Sequence, residues 1–365
     1  QGHRAVSSRI SGSVRIVGAG LLGTSIGLAL TKNGVDVIIT DESKSAENLA
    51  ISYGAGRESL SSDLPMLVVV CVPPEATSRI VVEELKNNPQ AIVTDVASVK
   101  KQILDSLTES AADLTRYVGS HPMAGRERSG AIAGRADLFI GRPWVISPTT
   151  ESSVGAITQV ENLAVELGAA PVKVTAEDHD RAVALVSHLP QAVASLTAAQ
   201  LIGADHQDVS LAGQGIRDTI RIAASDPNLW VQILSANSSE VVALLENLQE
   251  DLSKLVNALH TSDSEAGKAV IREVLTRGNL GSTLLPGKHG AKPTEYSVIT
   301  VIVEDKPGEL ARLLVEVGEI GVNLEELKLE HSPSSQIGLA ELFVLPSSAD
   351  KLVEELQIRN WRLVS

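Results

Sequence analysis

The chain has 365 residues, of which 43% are apolar and 21% are charged, proportions that are ordinary for a soluble globular protein. The net charge of −14 argues against nucleic acid and anionic membranes as partners, because those ligands require a basic surface. The single cysteine, Cys71, and the lack of any apolar run of ~18 residues favour a reducing cytoplasm. At about 150 residues per domain, the length indicates two or three domains.

A glycine-rich motif near the start predicts a dinucleotide-binding βαβ unit. An apolar strand, 14–17, leads through Gly18-Ala19-Gly20-Leu21-Leu22-Gly23 into a helix, and a second strand, 35–39, precedes Asp41. In such a unit Gly18 permits the tight turn, Gly20 lets a pyrophosphate approach the backbone and Gly23 lets helix and strand pack closely. Asp41 lies 18 residues past Gly23, where a carboxylate binds a ribose 2′-hydroxyl and repels a 2′-phosphate. The expected cofactor is therefore NAD rather than NADP, with Leu21 and Leu22 also in its site.

Further strands at 67–72, 91–94, 117–119 and 144–147 predict a Rossmann-type, mostly parallel, doubly wound sheet, and we assign residues 12–174 to this NAD-binding domain. Ligands of such sheets bind beyond the carboxyl ends of the strands. Val72, Ser98 and His121 each follow one of these strands, His121 in a glycine-flanked loop. A histidine there can take a hydroxyl proton near neutral pH. We expect Val72 and Ser98 at the cofactor and His121 in catalysis.

Residues 175–277 are predicted to form an all-helical substrate and dimerisation domain. Within it, apolar residues alternate spacings of four and three, a seam that one helix cannot bury. They are Val241, Leu245, Leu248, Leu252, Leu255 and Leu259. Two interpretations stay open, an intramolecular helical core and the interface of a homodimer. The glycine-rich residues 278–294 are predicted to form a linker.

The last part of the chain, 295–365, has the order βαββαβ, which predicts a ferredoxin-like domain. Its segment 305–310 and the sequence around Asn323 resemble the ACT domain family. That resemblance implies regulation by an amino acid bound at the edge of paired domains, most simply tyrosine. The expected effector residues are Asp305, Pro307, Gly308, Glu309, Leu310 and Asn323. The plainer interpretation of Gly308 is a strand-to-helix turn.

Several motifs together resemble the prephenate and arogenate dehydrogenases of tyrosine biosynthesis, over residues 12–277. They are Gly18 to Gly23, the stretch 95–100 around Ser98, 121–125 with Glu127, 187–190, Arg221-Ile222-Ala223, and Ser225-Asp226-Pro227 with Trp230. The resemblance implies oxidative decarboxylation with NAD⁺, in which His121 draws the proton of the ring hydroxyl and Ser98 orients either the histidine or the hydroxyl. It also implies that Arg221 binds a substrate carboxylate, and that Glu127 and Asp218 form an ionic network with it. Ser187 and Gln191 complete the expected substrate site.

One departure and two rival interpretations leave the function open. Family members often carry a second histidine after His-Leu-Pro, where this chain has Gln191, so both prephenate and arogenate stand as substrates. One rival is another NAD-dependent hydroxyacid dehydrogenase, which would normally use a lysine base. The other is a non-catalytic sensor of NAD and an amino acid, which would not need His121 or Arg221. No metal is expected, because the histidines lack ligand spacing.

Overall fold

The computed structural model describes residues 8–125, 130–285, 296–331 and 337–364. The chain divides into two compact units. The first contains residues 1–204 and 219–247, and the second contains residues 205–218 and 248–365.

The strands, in chain order, are β1 (Val14–Val17), β2 (Val37–Thr40), β3 (Leu67–Val70), β4 (Ile92–Asp95), β5 (Tyr117–Pro122), β6 (Pro143–Pro148), β7 (Ala170–Lys173), β8 (Ser297–Glu304), β9 (Glu326–His331), β10 (Ile337–Val344) and β11 (Arg362–Val364). The helices are α1 (Leu21–Lys32), α2 (Lys44–Ser52), α3 (Pro74–Asn87), α4 (Lys101–Glu109), α5 (Val154–Glu166), α6 (Ala176–Val183), α7 (Leu189–Ala199), α8 (His206–Ser210), α9 (Gln214–Ile220), α10 (Pro227–Ala236), α11 (Ser238–His260), α12 (Glu265–Ser282), α13 (Glu309–Ile320) and α14 (Pro346–Ile358).

The first unit is built on a seven-stranded sheet of order β2-β1-β3-β4-β5-β6-β7. Strands β1 to β5 are parallel, β6 is antiparallel to β5, and β7 is parallel to β6. The predicted mostly parallel, doubly wound sheet is therefore confirmed. Strand β7 was not predicted, because it is a four-residue edge strand, exposed along its length, that contains a proline.

Both faces of this sheet are buried, which is why its central strands are apolar at successive positions. Val69 of β3 packs in one core with Ile16 of β1, while the alternate residues Val68 and Val70 pack in a second core with Val93 of β4. The two cores place helices on both faces and leave the carboxyl ends of β1, β3, β4 and β5 together at one edge.

Two glycines bring β1 and α1 close together. Gly18 has a φ of +110°, and an added Cβ would lie 2.3 Å from the carbonyl oxygen of Cys71, just after β3. A Cβ on Gly23 would lie 1.9 Å from the carbonyl oxygen of Gly18. A Cβ on Gly20 would meet no protein atom within 4 Å. The loop is thus tight on its protein side and open on its outer side at Gly20.

Helices α6 and α7 form one continuous 24-residue helical stretch, Ala176–Ala199, joined by a π-helical turn at Ala184–His188. By length and composition alone this stretch could cross a membrane. Its polar residues Asp180, His188 and Gln191 are buried, whereas Leu185, Val186 and Leu196 are exposed, so the stretch packs one face against the protein. Single π turns are frequent at functional sites.

Helix α11 carries the predicted apolar seam and leaves most of it uncovered. Val241 is buried, but Leu252 and Leu259 are 58% and 54% exposed, respectively. A folded chain rarely leaves such a row of leucines in water, so the seam favours an interface over an intramolecular core. Helix α12 continues to Ser282, five residues into the predicted linker, and residues 286–294 of that linker lie outside the described residues.

The second unit contains a four-stranded antiparallel sheet of order β11-β8-β10-β9. With α13 after β8 and α14 after β10, this is the predicted ferredoxin-like βαββαβ topology. Its core includes Val301, Leu313, Leu342 and Leu352. Trp361 is buried and donates its indole N–H to Glu316 at 2.8 Å.

We expect Gly23→Ala and Gly20→Ala to behave differently. The first should lower the free energy of unfolding by about 1–3 kcal/mol, because its methyl group meets backbone that must move. The second should change it by no more than about 0.5 kcal/mol, since the site is open. Urea denaturation of both variants measures this difference, and equal losses would contradict the packing assigned to Gly23.

Candidate active site

The glycine-rich loop and the start of α1 form a cradle at the carboxyl edge of the sheet. Gly20 is the N-cap residue of α1 and no side-chain hydrogen bond caps the helix there, so the backbone N–H groups of Leu21 and Leu22 stand at its open N-terminus. Such a terminus binds phosphate oxygens. The open space outside Gly20 leaves room for a pyrophosphate, so the cradle fits a dinucleotide.

Asp41 lies directly after β2 and is tied to this cradle. One carboxylate oxygen accepts the N–H of Ala19 at 2.7 Å and the other accepts the N–H of Ser43 at 2.8 Å. Asp41 is half-buried, so its charge remains accessible at the loop. The structure thus places the predicted ribose-binding carboxylate next to Gly18 and Gly20.

Three other predicted residues lie at the same edge. Val72 follows β3 and Ser98 follows β4, and both are half-buried. His121 lies in β5 itself, paired with Val145 of β6, whereas the sequence predicted a strand ending at Gly119. The antiparallel pairing with β6 extends the strand to Pro122 and fixes the backbone of His121 more firmly than a loop would.

His121 is the first member of a chain of hydrogen bonds that leads into α6. Its Nδ1 lies 2.9 Å from Nε2 of His179, and Nδ1 of His179 lies 2.7 Å from Oδ1 of Asp180. Asp180 also accepts the N–H groups of Lys100 at 2.8 Å and Lys101 at 2.8 Å, at the start of α4. His179 and Asp180 are only 1% and 3% exposed. Nδ1 of His121 thus pairs with His179, a partner that the sequence did not predict, and the role of Ser98 in orienting the histidine or the substrate hydroxyl stays a prediction.

These surroundings set the charges of the site. Burial, above all, holds the pKa of His121 well below its usual range, so the ring is neutral at neutral pH. Burial acts to raise the pKa of Asp180, but the hydrogen bonds from His179 and from the start of α4 outweigh it and lower that pKa. A neutral histidine beside a fixed carboxylate can accept a proton.

Lys100, Asp95 and Tyr117 form a second buried polar cluster, at the end of β4. The ammonium of Lys100 is paired with the carboxylate of Asp95, which also accepts the hydroxyl of Tyr117 at 2.6 Å. All three side chains are almost completely buried. A buried ion pair needs such additional hydrogen bonds to offset its desolvation.

The predicted substrate residues Ser187, Gln191 and Arg221 line one open cleft of about 330 Å³. Its other lining residues are Gly125, Val186, Pro190, Ile222, Ser225 and Trp230. The π-helical turn brings Ser187 and, one turn on, Gln191 to this cleft. Gln191 is buried and donates its amide N–H to Ser195 at 3.4 Å. The arginine supplies a cation and a planar guanidinium at the cleft wall.

The roles of Asp218 and Glu127 at this cleft remain predictions. Asp218 belongs to the second unit, where it accepts a hydrogen bond from Gln214 at 2.9 Å. Glu127 lies outside the described residues, so the structure does not describe the ionic network expected with Arg221.

His188 has a packing role in the protein interior. It is 1% exposed, its Nδ1 lies 3.1 Å from the amide nitrogen of Asn237, and its ring meets Trp230 edge-on with centroids 6.0 Å apart. Burial lowers its pKa to about 4. Asn237 also donates to the carbonyl oxygen of Asp180 at 2.8 Å, so it connects His188 to the turn of α6 that carries Asp180.

Sequence reasoning missed His179, Asp180 and Asn237. The available signal was the sequence Asp178-His179-Asp180 early in a helix, which places a histidine directly beside carboxylates. Nothing in the sequence, however, indicated that this helix would meet β5.

The expected effector residues of the C-terminal domain lie at opposite ends of α13. Asp305, Pro307 and Gly308 precede the helix, while Asn323 follows its other end and donates to Glu325 at 2.8 Å. The helix has 12 residues and so spans about 18 Å. Glu309 and Leu310 form its first turn. One domain therefore cannot bring all six residues to a single amino acid.

Two family models match the chain. The nucleotide-binding domain of prephenate dehydrogenase matches residues 26–173, and its dimerization domain matches residues 175–273. The chain belongs to the prephenate dehydrogenase family. It is an NAD-dependent oxidoreductase, which removes the interpretation as a non-catalytic sensor.

Similar proteins match a larger part of the chain than the family models do. The probable prephenate dehydrogenase NovF of Streptomyces niveus is 36% identical over 95% of this chain and 98% of its own length. Prephenate dehydrogenase of Aquifex aeolicus, solved with hydroxyphenyl propionate and NAD⁺, has a TM-score of 0.65 at 27% identity, covering 75% of this chain and 99% of that one. Arogenate dehydrogenase of Synechocystis has a TM-score of 0.60 at 25% identity, covering 74% and 99%. The family models end before the C-terminal domain, whose assignment to the ACT family they do not address.

We expect Asp41→Asn to weaken the preference for NAD⁺ over NADP⁺ by about tenfold or more in kcat/KM, because the repulsion of a 2′-phosphate is lost. The amide oxygen can still accept the N–H of Ala19, so the loop keeps a tether. Glu42→Gln, which removes a neighbouring exposed carboxylate, is the matched control. An unchanged cofactor preference in Asp41→Asn would remove Asp41 from cofactor selection.

Proposed function

We propose that the protein catalyses the NAD-dependent oxidative decarboxylation of prephenate to 4-hydroxyphenylpyruvate, a step of tyrosine biosynthesis. The observation that carries this proposal is the neutral His121, whose Nδ1 is held by His179 at the cofactor edge of the sheet. The arginine-lined cleft formed by the helices of the same unit supports it. The single cysteine and the family's role in biosynthesis agree with a cytoplasmic location.

In this mechanism His121 is the general base. When bound, NAD⁺ supplies the acceptor for the hydride that leaves the ring carbon bearing the hydroxyl. Nε2 of His121 takes the hydroxyl proton, the ring carboxylate departs as CO₂, and the electron pair of the broken bond makes the ring aromatic. The resulting phenolate oxygen then takes the proton back from His121. Ser98, beside the cofactor, would orient the reacting hydroxyl.

Arg221 would bind a carboxylate of the substrate. A guanidinium can donate two parallel N–H bonds to a carboxylate, which fixes both position and orientation. Ser187 and Gln191 would complete the polar wall of the cleft. Asp218 and Glu127 would form an ionic network with Arg221.

Arogenate is the second candidate substrate. It differs from prephenate in carrying an amino-acid side chain instead of a keto acid. Gln191 favours neither strongly, because a neutral amide can both donate and accept. The likeness to an arogenate dehydrogenase keeps this alternative in the test below.

The purified protein should reduce NAD⁺ with prephenate, followed by the absorbance of NADH, and arogenate is the parallel assay. His121→Asn should lower kcat by about 10² to 10⁴ with little change in NAD⁺ affinity, because the base is lost. Arg221→Ala should instead raise KM for the organic substrate, because a carboxylate loses its charged partner.

Arg217→Ala, an exposed arginine of α9 outside the cleft, is the matched control for Arg221. Faster turnover of arogenate would select the second candidate. Activity with neither substrate would refute the proposal, and an unchanged KM in Arg221→Ala would remove that residue from the cleft's function.

We further propose that the protein is a homodimer through the helical domain. The exposed leucines of α11 form a continuous apolar row, and the matched domain family is named for dimerization. Twofold association would bury these side chains against their copies.

Regulation by an amino acid at the C-terminal domain is proposed as well. Since the six expected residues lie at both ends of α13, an effector site would need two such domains side by side, with Gly308 of one near Asn323 of the other. A dimer supplies the second copy. An aromatic product, most simply tyrosine, is the proposed effector.

If this holds, tyrosine should inhibit the wild type, and Asn323→Ala should raise the half-inhibiting concentration by about tenfold, a loss of about 1.4 kcal/mol in effector binding. Asp350→Ala, which removes an exposed carboxylate in α14, is the control and should behave as the wild type. Competition at the catalytic cleft is the alternative, and it predicts unchanged sensitivity in both variants.

A further inference from the structure

The hydrogen-bonded row His121–His179–Asp180 sets the positions of protons as well as those of side chains. The carboxylate of Asp180 can only accept, and it already accepts two backbone N–H groups at the start of α4. Nδ1 of His179, at 2.7 Å, must therefore carry a hydrogen and donate it to Asp180.

This requirement passes along the row. When Nδ1 carries the one ring hydrogen of His179, its Nε2 holds a lone pair, which can only accept. The facing Nδ1 of His121, 2.9 Å away, must then be the donor. A neutral His121 with a hydrogen on Nδ1 has its lone pair on Nε2. The two rings meet nearly edge to face, at 75°.

We propose that His179 is a positioning residue for the reaction, and that together with Asp180 it holds His121 in the tautomer whose Nε2 accepts the substrate hydroxyl proton. This inference rests on the proposed function. Without His179, the neutral ring of His121 could carry its hydrogen on either nitrogen. The form with the hydrogen on Nε2 cannot take the substrate's hydroxyl proton at that atom.

The row also stabilises the product of proton transfer. When Nε2 of His121 takes the hydroxyl proton, the ring becomes an imidazolium that keeps its Nδ1–H and donates it to His179. The negative charge of Asp180 lies one ring further and offsets the positive charges of the imidazolium and of Lys100. When the phenolate takes the proton back, the row returns to its starting state, so no proton is gained or lost.

His188 does not replace His179 in this role. Its Nδ1 is engaged with Asn237, and its ring packs on Trp230. Among the described residues, the titratable groups that act on His121 are Lys100 at the start of α4, His179 on α6 and His188 on the π-helical turn, and Asp180 lies beyond His179.

The tautomer can be read without turnover. In protein labelled with ¹⁵N at histidine, long-range ¹H–¹⁵N spectra at neutral pH distinguish protonated from unprotonated ring nitrogens. The signals of His121 are assigned by their absence in His121→Asn. We expect a protonated Nδ1 and an unprotonated Nε2, and the opposite pattern would overturn the inference whatever the substrate.

Two substitutions of His179 test its effect on the reaction. His179→Leu removes the acceptor and should lower kcat by about 10² while KM for both substrates stays within about threefold. His179→Gln keeps an oxygen that can accept from Nδ1 of His121, so it should restore kcat to within about tenfold of the wild type. Equal losses in the two variants would indicate a packing role and overturn the proposal.

A double-mutant cycle distinguishes action through His121 from action elsewhere. In the His121→Asn background, His179→Leu should cost little further activity, because the residue on which it acts is gone. The same fold-loss in both backgrounds would contradict the inference. If no member of the series turned over prephenate or arogenate, the proposed function would fail, and the ¹⁵N spectra would still decide the tautomer.

Discussion

The first unit depends on one buried charge, the carboxylate of Asp180. It is 3% exposed and lies at the start of α4, where it accepts two backbone N–H groups and the ring N–H of His179. A helix N-terminus favours an anion, and these three donors replace the water that the carboxylate gives up. Removing one partner of such a buried charge costs about 3–5 kcal/mol. The same contacts therefore fasten α6 to α4 and give the site a fixed acceptor.

This attachment connects the two halves of the proposed active site. Helix α4 follows the loop that carries Ser98, and α6 continues through the π-helical turn into α7, which bears Gln191. Any movement of the Asp180 carboxylate would shift the cofactor edge and the cleft wall relative to each other. Chemistry between a cofactor and a substrate needs both to be held within fractions of an ångström, so the natural place for a rigid polar contact is between these two elements.

The sequence predicted the parts of the molecule that follow from local rules. Gly23 packs against Gly18, five residues away, and every strand except the exposed edge strand β7 follows from apolar runs and turn residues. The open cleft around Arg221 was expected only through family motifs, because the spacing of Arg221, Ser187 and Gln191 carries no periodicity that marks a shared site. The exposure of Leu252 favours a dimer interface over an intramolecular core, two interpretations that the seam alone left equal.

The hydrogen-bonded row escaped prediction for a physical reason. His121 and His179 are 58 residues apart, and their contact depends on how α6 crosses the end of β5, which is set by packing of the whole unit and not by local propensity. The sequence instead offered Ser98, at the same edge of the sheet, to orient either the histidine or the substrate hydroxyl. A serine hydroxyl can donate or accept and so leaves the tautomer of a histidine open, whereas His179 backed by Asp180 leaves one choice. Because a base needs a lone pair at a fixed place, His179 and Asp180 can do what a serine hydroxyl cannot.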